Sequence, residues 1–161
     1  MVERNDVRDF WAPHVTVTAV VEHDGRYLMV EERARGRVVF NQPSGHLDMG
    51  ESILEAVCRE VLEETRRVFT PSDLLGQYLW RRRTDDDGGD SFLRTVIIGS
   101  VSEEDAELPL DPSIIATHWL DLDELHARRE QLRSPLVLAA IEDHRAGIRY
   151  PLDILRHLEE A

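Results

Sequence analysis

The chain has 161 residues, 42% of them hydrophobic, and a formal charge of −13. That length suits a single domain with a core of its own over residues 1–161, and the acid excess argues against a nucleic-acid polymer as partner, since such binding needs a basic face. All 19 basic residues are arginine, which excludes P-loop, kinase-type and Schiff-base lysine chemistry, and the lone Cys58 excludes an internal disulfide.

Residues 1–13 read as a polar lead-in or a short helix, and their opening MVERNDVRDFW lacks the apolar core of a signal peptide. No apolar run approaches the ~18 residues of a membrane span, so a cytoplasmic protein without a membrane partner is expected. His14 to Glu22 alternates as a strand, and His23-Asp24-Gly25 turns the chain into a second strand, Arg26 to Glu32. Arg33 to Arg37 reads as a charged loop. Val38 to Phe40 is a short β-prone run that Pro43 and Gly45 bring to an end. Leu74 to Arg82 and Phe92 to Val101 are two further strands, and the acidic, glycine-rich joint between them, Arg83 to Ser91, is expected to be mobile. Glu103 to Asp111 is an acidic loop, Ile114 to Leu120 a strand and Asp121 to Arg128 a short helix. Ser134 is placed to cap a longer helix with Pro135 at its first position. Strands, a mid-chain helix, more strands and a closing helix predict an α+β fold, a mixed β-sheet covered on both faces.

The mid-chain helix carries the chemistry. Ser52 and Glu55 form a capping box at its start, and Leu54, Val57, Val61 and Val68 recur at helical spacing. Glu60, Glu63 and Glu64 fall at i, i+3 and i+4, which gathers three carboxylates on one face beside that stripe. Three like charges repel, and a divalent cation would remove the repulsion. An all-oxygen donor set favours Mg²⁺, with Mn²⁺ as a substitute. Cys58 faces away from these glutamates, toward the core.

Gly45, five residues, Glu51, seven residues and Arg59-Glu60-Val61-Leu62-Glu63-Glu64 together resemble the Nudix box, G-x5-E-x7-R-E-U-x-E-E-x-G-U, which here spans residues 45–67. Six fixed identities coincide by chance on the order of 10⁻⁷ per starting position. Arg66 and Arg67 stand where the box has glycine and an apolar residue. The resemblance implies a Nudix-type α/β/α sandwich. It also implies metal binding by Glu60, Glu63, Glu64 and the Gly45 carbonyl, and bracing of Glu51 by Arg59. The same three glutamates are the catalytic candidates.

His14-Val15-Thr16-Val17, Asn41 to Leu47, Phe92-Leu93-Arg94, Leu132 to Val137 and Arg149 to Leu152 are similar to the NudJ-type branch of the family. That branch implies a Mg²⁺-dependent phosphatase of nucleoside di- and triphosphates, or of thiamine or hydroxymethylpyrimidine pyrophosphate, acting as a monomer or homodimer. Phe40 and Trp80 are the foremost candidates for stacking a ring, ahead of Tyr78, Phe92 and Tyr150. Arg94 is the foremost candidate for a phosphate, ahead of Arg33, Arg35 and Arg37; His14 and His46 are further candidates. Asp85 to Asp87 or Glu103 to Asp105 could supply a loop carboxylate. Two rivals stand beside this reading. One is a Nudix hydrolase of oxidised nucleotides or ADP-ribose. The other is a non-catalytic Nudix domain that binds a ligand and regulates a partner, which the retention of every box glutamate disfavours.

Overall fold

A computed structural model describes residues 11–83 and 89–158. Most of the expected lead-in, and the mobility expected between Arg83 and Ser91, lie outside the described residues.

The hydrophobic alternation predicts strands, and the strands form. β1 (His14–His23) turns at Asp24-Gly25 into β2 (Arg26–Ala34). Asp24 and Gly25 have φ of 50° and 78°, the positive pair of a two-residue hairpin turn. The charged stretch from Arg33 to Arg37 is not a loop. Its middle, Arg35-Gly36, is a second such turn with φ of 53° and 75°, and β3 (Arg37–Asn41) returns along β2. Charge in that stretch reflects an exposed hairpin tip, where strand residues need no apolar partner.

Among the described residues the sheet has seven strands, running β3-β2-β1-β6-β5 along its main path, with β5 at Phe69–Arg81 and β6 at Ser91–Val101. β1 and β6 are parallel and the other pairs antiparallel, which makes the sheet mixed as expected. β5 starts five residues before the expected Leu74, through Pro71. A proline is tolerated there because β5 is an edge strand, and the register shifts between Pro71 and Asp73. β7 (Ile114–Leu120) pairs with the other side of β2.

One split in this sheet positions everything that follows. β1 and β2 pair only beside their turn, at Glu22 with Tyr27 and His23 with Arg26. Beyond it the edge of β1 is taken by a three-residue strand, β4 (Ser44–His46), which the sequence reading missed. Its Ser-Gly-His composition carries no strand propensity; pairing with Thr16, Val17 and Thr18 makes it a strand.

The two faces of the sheet bury different helices. Val17, Ala19, Val21 and Ile97 pack with Ala56, Val57 and Val61 of α1 (Ile53–Thr65). Val20, Val96 and Ile98, one residue out of phase, pack with Leu125 of α2 (Leu122–Ala127) and with Val137, Ala140 and Ile141 of α3 (Leu136–Arg145). The predicted layers are therefore present. Val68 does not extend the α1 stripe: the helix ends at Thr65, Arg66 takes the left-handed conformation, and Val68 is 61% exposed. Cys58 packs against the α1 core and directs its thiol at the Phe69 carbonyl. Ser134 does not cap α3. Pro135 is the N-cap, with no side-chain hydrogen bond, and the Ser134 hydroxyl is buried without a partner among the described residues.

Candidate active site

The box begins with a brace. The Arg59 guanidinium donates to Glu51 through Nε (3.0 Å) and Nη2 (2.7 Å), and Glu51 also accepts the Asp48 N–H at 2.8 Å. Arg59 Nη2 further donates to the His46 carbonyl at 3.0 Å. One side chain on α1 thus fixes both β4 and the loop that follows it. The Arg59 hydrogen bonds, offset in part by burial, hold the Glu51 carboxyl below its ordinary value. Glu51, more than any other group, raises that of Arg59.

Arg59 does more than brace Glu51. Its Nη1 donates to Glu60 at 2.7 Å and to Glu63 at 3.3 Å. The repulsion expected among the helix carboxylates is therefore relieved in part by a guanidinium. Glu64 turns elsewhere and accepts the Ser44 N–H at 2.9 Å. The three glutamates share a face but differ in environment. Glu63 has a half-exposed side chain, whereas Glu64 is 7% exposed. Burial pushes the Glu64 carboxyl well above its ordinary value; the Ser44 N–H opposes this, and the charges of Glu32, Glu60 and Asp111 reinforce it. Burial raises Glu60 as well, against the pull of Arg59. With Glu60 and Glu63 held by Arg59, the described residues contain no group of three acidic, histidine or cysteine side chains already arranged around a metal position.

Gly45 fits this corner for a steric reason. A β-carbon on it would overlap the Glu60 carboxylate, so the Gly45 backbone and that carboxylate share one space. Ser44 and Gly45 also line a cavity of about 430 Å³ where β1 and β2 diverge. The acidic end of α1 and the cavity meet across this short strand.

Among the described residues the cavity wall contains Arg35, Arg82, Arg94 and Arg133 against Glu32 and Asp90 as carboxylates, the reverse of the −13 chain around it. Arg94 is 8% exposed, and among the described residues its Nε and Nη1 have no hydrogen-bond partner. Burial, reinforced by Arg133, pulls its pKa down to about 10, against Glu32 and Glu64. Arg133 pairs with Glu32 at 3.0 Å, and its N–H bonds to the Phe40 carbonyl at 2.9 Å. Asp90 gathers Arg35 (3.2 Å), Arg82 and His14 (3.9 Å). Trp80, Phe92 and His14 adjoin this polar cluster through His14 and are cross-strand neighbours whose rings stack, Trp80 on Phe92 at 5.6 Å and 25°, His14 on Phe92 at 5.2 Å and 23°.

Of the residues singled out by sequence, Gly45, Trp80, Arg94, Phe92, His14, His46 and Arg35 all line this cavity. Others do not. Phe40 packs beneath His118 (5.5 Å) and Arg128 (5.8 Å), Tyr78 donates to Asp143 at 2.6 Å, and Arg37 bonds to the Glu130 carbonyl. Asp85 to Asp87 lie outside the described residues. The loop from Glu103 is tied to the end of α1, with Glu104 near Arg66 and Arg67 and the Asp105 N–H on the Arg66 carbonyl. Sequence reasoning gives Thr16, Glu32, Asn41, Asp90 and Arg133 no role in the site, and Ser134 only that of a helix cap, yet all six line the cavity. Only their place in the short similar segments signalled Thr16, Asn41, Arg133 and Ser134, and nothing signalled Glu32 or Asp90.

Residues 12–140 match the family model of the NUDIX domain. The chain belongs to the Nudix family. It is 34% identical over 143 residues to the phosphatase NudJ of Escherichia coli strain K12, covering 89% of this chain and 90% of that protein; the NudJ of Shigella boydii serotype 4 gives the same figures. Among solved structures, a NUDIX hydrolase from Nitrosomonas europaea is 46% identical with a TM-score of 0.87, over 93% of this chain and all of that one. A MutT NUDIX hydrolase from Burkholderia pseudomallei is 26% identical with a TM-score of 0.67, over 83% of this chain and 98% of that one. This Nudix chain is accordingly a hydrolase of phosphoric anhydrides, an enzyme of a family that works on small molecules with a divalent metal. Among the described residues no helix is long and apolar enough to cross a membrane.

Proposed function

We propose that this enzyme hydrolyses the diphosphate linkages of nucleoside di- and triphosphates, or of related small pyrophosphates such as those of thiamine and hydroxymethylpyrimidine, with Mg²⁺, and releases orthophosphate. One observation carries the reading: the acidic end of α1 and the arginine-rich cavity share the strand Ser44–His46. Glu64 and Glu60 touch it from one side, and the cavity opens on the other. An acidic protein thereby presents a locally basic pocket to a phosphate chain. The similarity to the NudJ phosphatases supports the same substrate class.

The residues fit a hard divalent ion. Glu60, Glu63, Glu64 and the Gly45 carbonyl make an all-oxygen set, and Gly45 leaves its backbone open beside the Glu60 carboxylate. When bound, Mg²⁺ supplies neutralisation of phosphate oxygens and a more acidic water. Loading requires Glu60 and Glu63 to exchange Arg59 for the ion, while Arg59 keeps Glu51 and the His46 carbonyl and so keeps β4 in place. Glu60, Glu63 and Glu64 act as the catalytic carboxylates. Arg94 neutralises a phosphate group of the substrate, and Trp80, stacked on Phe92, offers its face to the organic ring.

The test is Glu64→Gln and Glu60→Gln. Turnover with Mg²⁺ should fall at least ~10²-fold, the lower scale for a lost catalytic group, and the circular dichroism spectrum should stay native. Near-normal rates in both variants would contradict the assignment.

A further inference from the structure

We propose that Arg94, Arg133, Ser134 and Thr16 form a receptor for a free phosphate end, so that the enzyme prefers a diphosphate ending in a phosphate monoester to one capped at both ends. This rests on reading the cavity as the substrate site.

Arg94 is the starting point. It is 8% exposed, lines the cavity, and has Nε and Nη1 without a partner among the described residues. Buried donors in native proteins are nearly always satisfied, and an unsatisfied ionised one is costly. The nearby carboxylates do not supply the missing bonds. Glu32 is engaged by Arg133 at 3.0 Å and by the Asn41 amide at 3.4 Å, and Glu64 by the Ser44 N–H at 2.9 Å.

Two hydroxyls in the same wall are also unmatched. Ser134 Oγ and Thr16 Oγ1 are buried without a hydrogen-bond partner among the described residues. Ser134 is the residue whose sequence position suggests a helix cap, yet its hydroxyl caps nothing. Thr16 lies directly across the strand pair from Arg94, and the next residue across is His46, adjacent to Gly45. Arg94 therefore stands two strand spacings, about 10 Å, from the strand on which the helix carboxylates close, with Thr16 between them.

The donors select the ligand. Two guanidiniums and two hydroxyls match a terminal phosphate, with three free oxygens and up to two negative charges. A phosphate esterified on both sides offers two free oxygens and one charge, and leaves donors in this wall unmet. Discrimination of that kind is large when a buried polar site goes unfilled.

The test is thermal melting of the metal-free enzyme titrated with orthophosphate or dimethyl phosphate, on the wild type, Arg94→Met and Ser134→Ala. Orthophosphate should raise the wild-type melting temperature saturably and dimethyl phosphate should not. Without phosphate, Arg94→Met should melt at or above the wild type, because an unsatisfied buried cation has been replaced by an apolar chain of similar shape. With phosphate it should not respond, and Ser134→Ala should respond less than the wild type. An equal phosphate response in Arg94→Met, no response in the wild type, or a lower starting melting temperature in Arg94→Met would each overturn the receptor. With Mg²⁺, Arg94→Met should lose at least 10-fold in kcat/KM on a nucleoside diphosphate and far less on a dinucleoside diphosphate. Equal losses would overturn the selectivity. A wild type that cleaves neither compound refutes the proposed hydrolysis instead, while the melting data still judge the receptor.

Discussion

Arg66 shows how much one residue's conformation decides. The box resemblance places a glycine there, and the backbone takes the left-handed geometry a glycine would serve, φ 56° and ψ 31°, with its N–H on the Leu62 carbonyl. A side chain in that conformation costs about 1 kcal/mol or more. The compensation is small. A cation at a helix C-terminus gives ~0.3–1 kcal/mol, and the pair with Glu104 at 3.8 Å is long and partly solvated. Arg66→Gly should therefore raise stability by ~0.5 kcal/mol, read by denaturant unfolding, and leave Mg²⁺-dependent turnover unchanged. A large loss of activity would mean that Arg66 reaches the substrate. The neighbouring case, Arg59, was half legible. Its resemblance to the box arginine implied the brace to Glu51, but one or four residues of separation from Glu60 and Glu63 could not say which carboxylates its Nη1 would take.

Among the elements, local signals were legible and borrowed ones were not. The α1 capping box, the α2 helix and the Asp24-Gly25 hairpin follow from residues within four positions of each other, whereas the Arg35-Gly36 turn, hidden in a charged run, reads from sequence as a loop. β4 and the start of α3 do not follow from near neighbours. β4 exists because β1 lends it an edge, and the Ser134 hydroxyl is drawn into a cavity wall that no local pattern encodes. α3 carries a pH dependence of its own. His144 Nδ1 meets the Tyr27 hydroxyl at 3.0 Å, and burial, reinforced by Arg149 and opposed by Glu22, lowers its pKa from the ordinary 6.5. A group whose folded pKa is depressed contributes stability above its unfolded value, and that contribution is lost as pH falls through the folded value. Melting temperature should thus decline below about pH 6.5, and His144→Gln should flatten that part of the curve. Identical slopes in the two proteins would exclude His144 as the cause.

For the whole molecule, the sequence is acidic where the pocket is basic. The box could be recognised by resemblance in the sequence because Gly45, Glu51, Arg59 and the glutamates fall within twenty residues of one another. The cavity could not, because Glu32 meets Arg133 only through the fold, as the Phe40 carbonyl receives the Arg133 N–H. The same gathering of distant residues stacks His14, Phe92 and Trp80 on three different strands. The central claim is that this pocket takes the phosphate end of a small substrate and the α1 carboxylates direct its release. The most direct measurement is product analysis with Mg²⁺ on matched nucleoside di- and triphosphates, scoring orthophosphate against pyrophosphate. Both should be cleaved, with orthophosphate as the released product. Pyrophosphate as the sole product from triphosphates, with diphosphates untouched, would contradict the account.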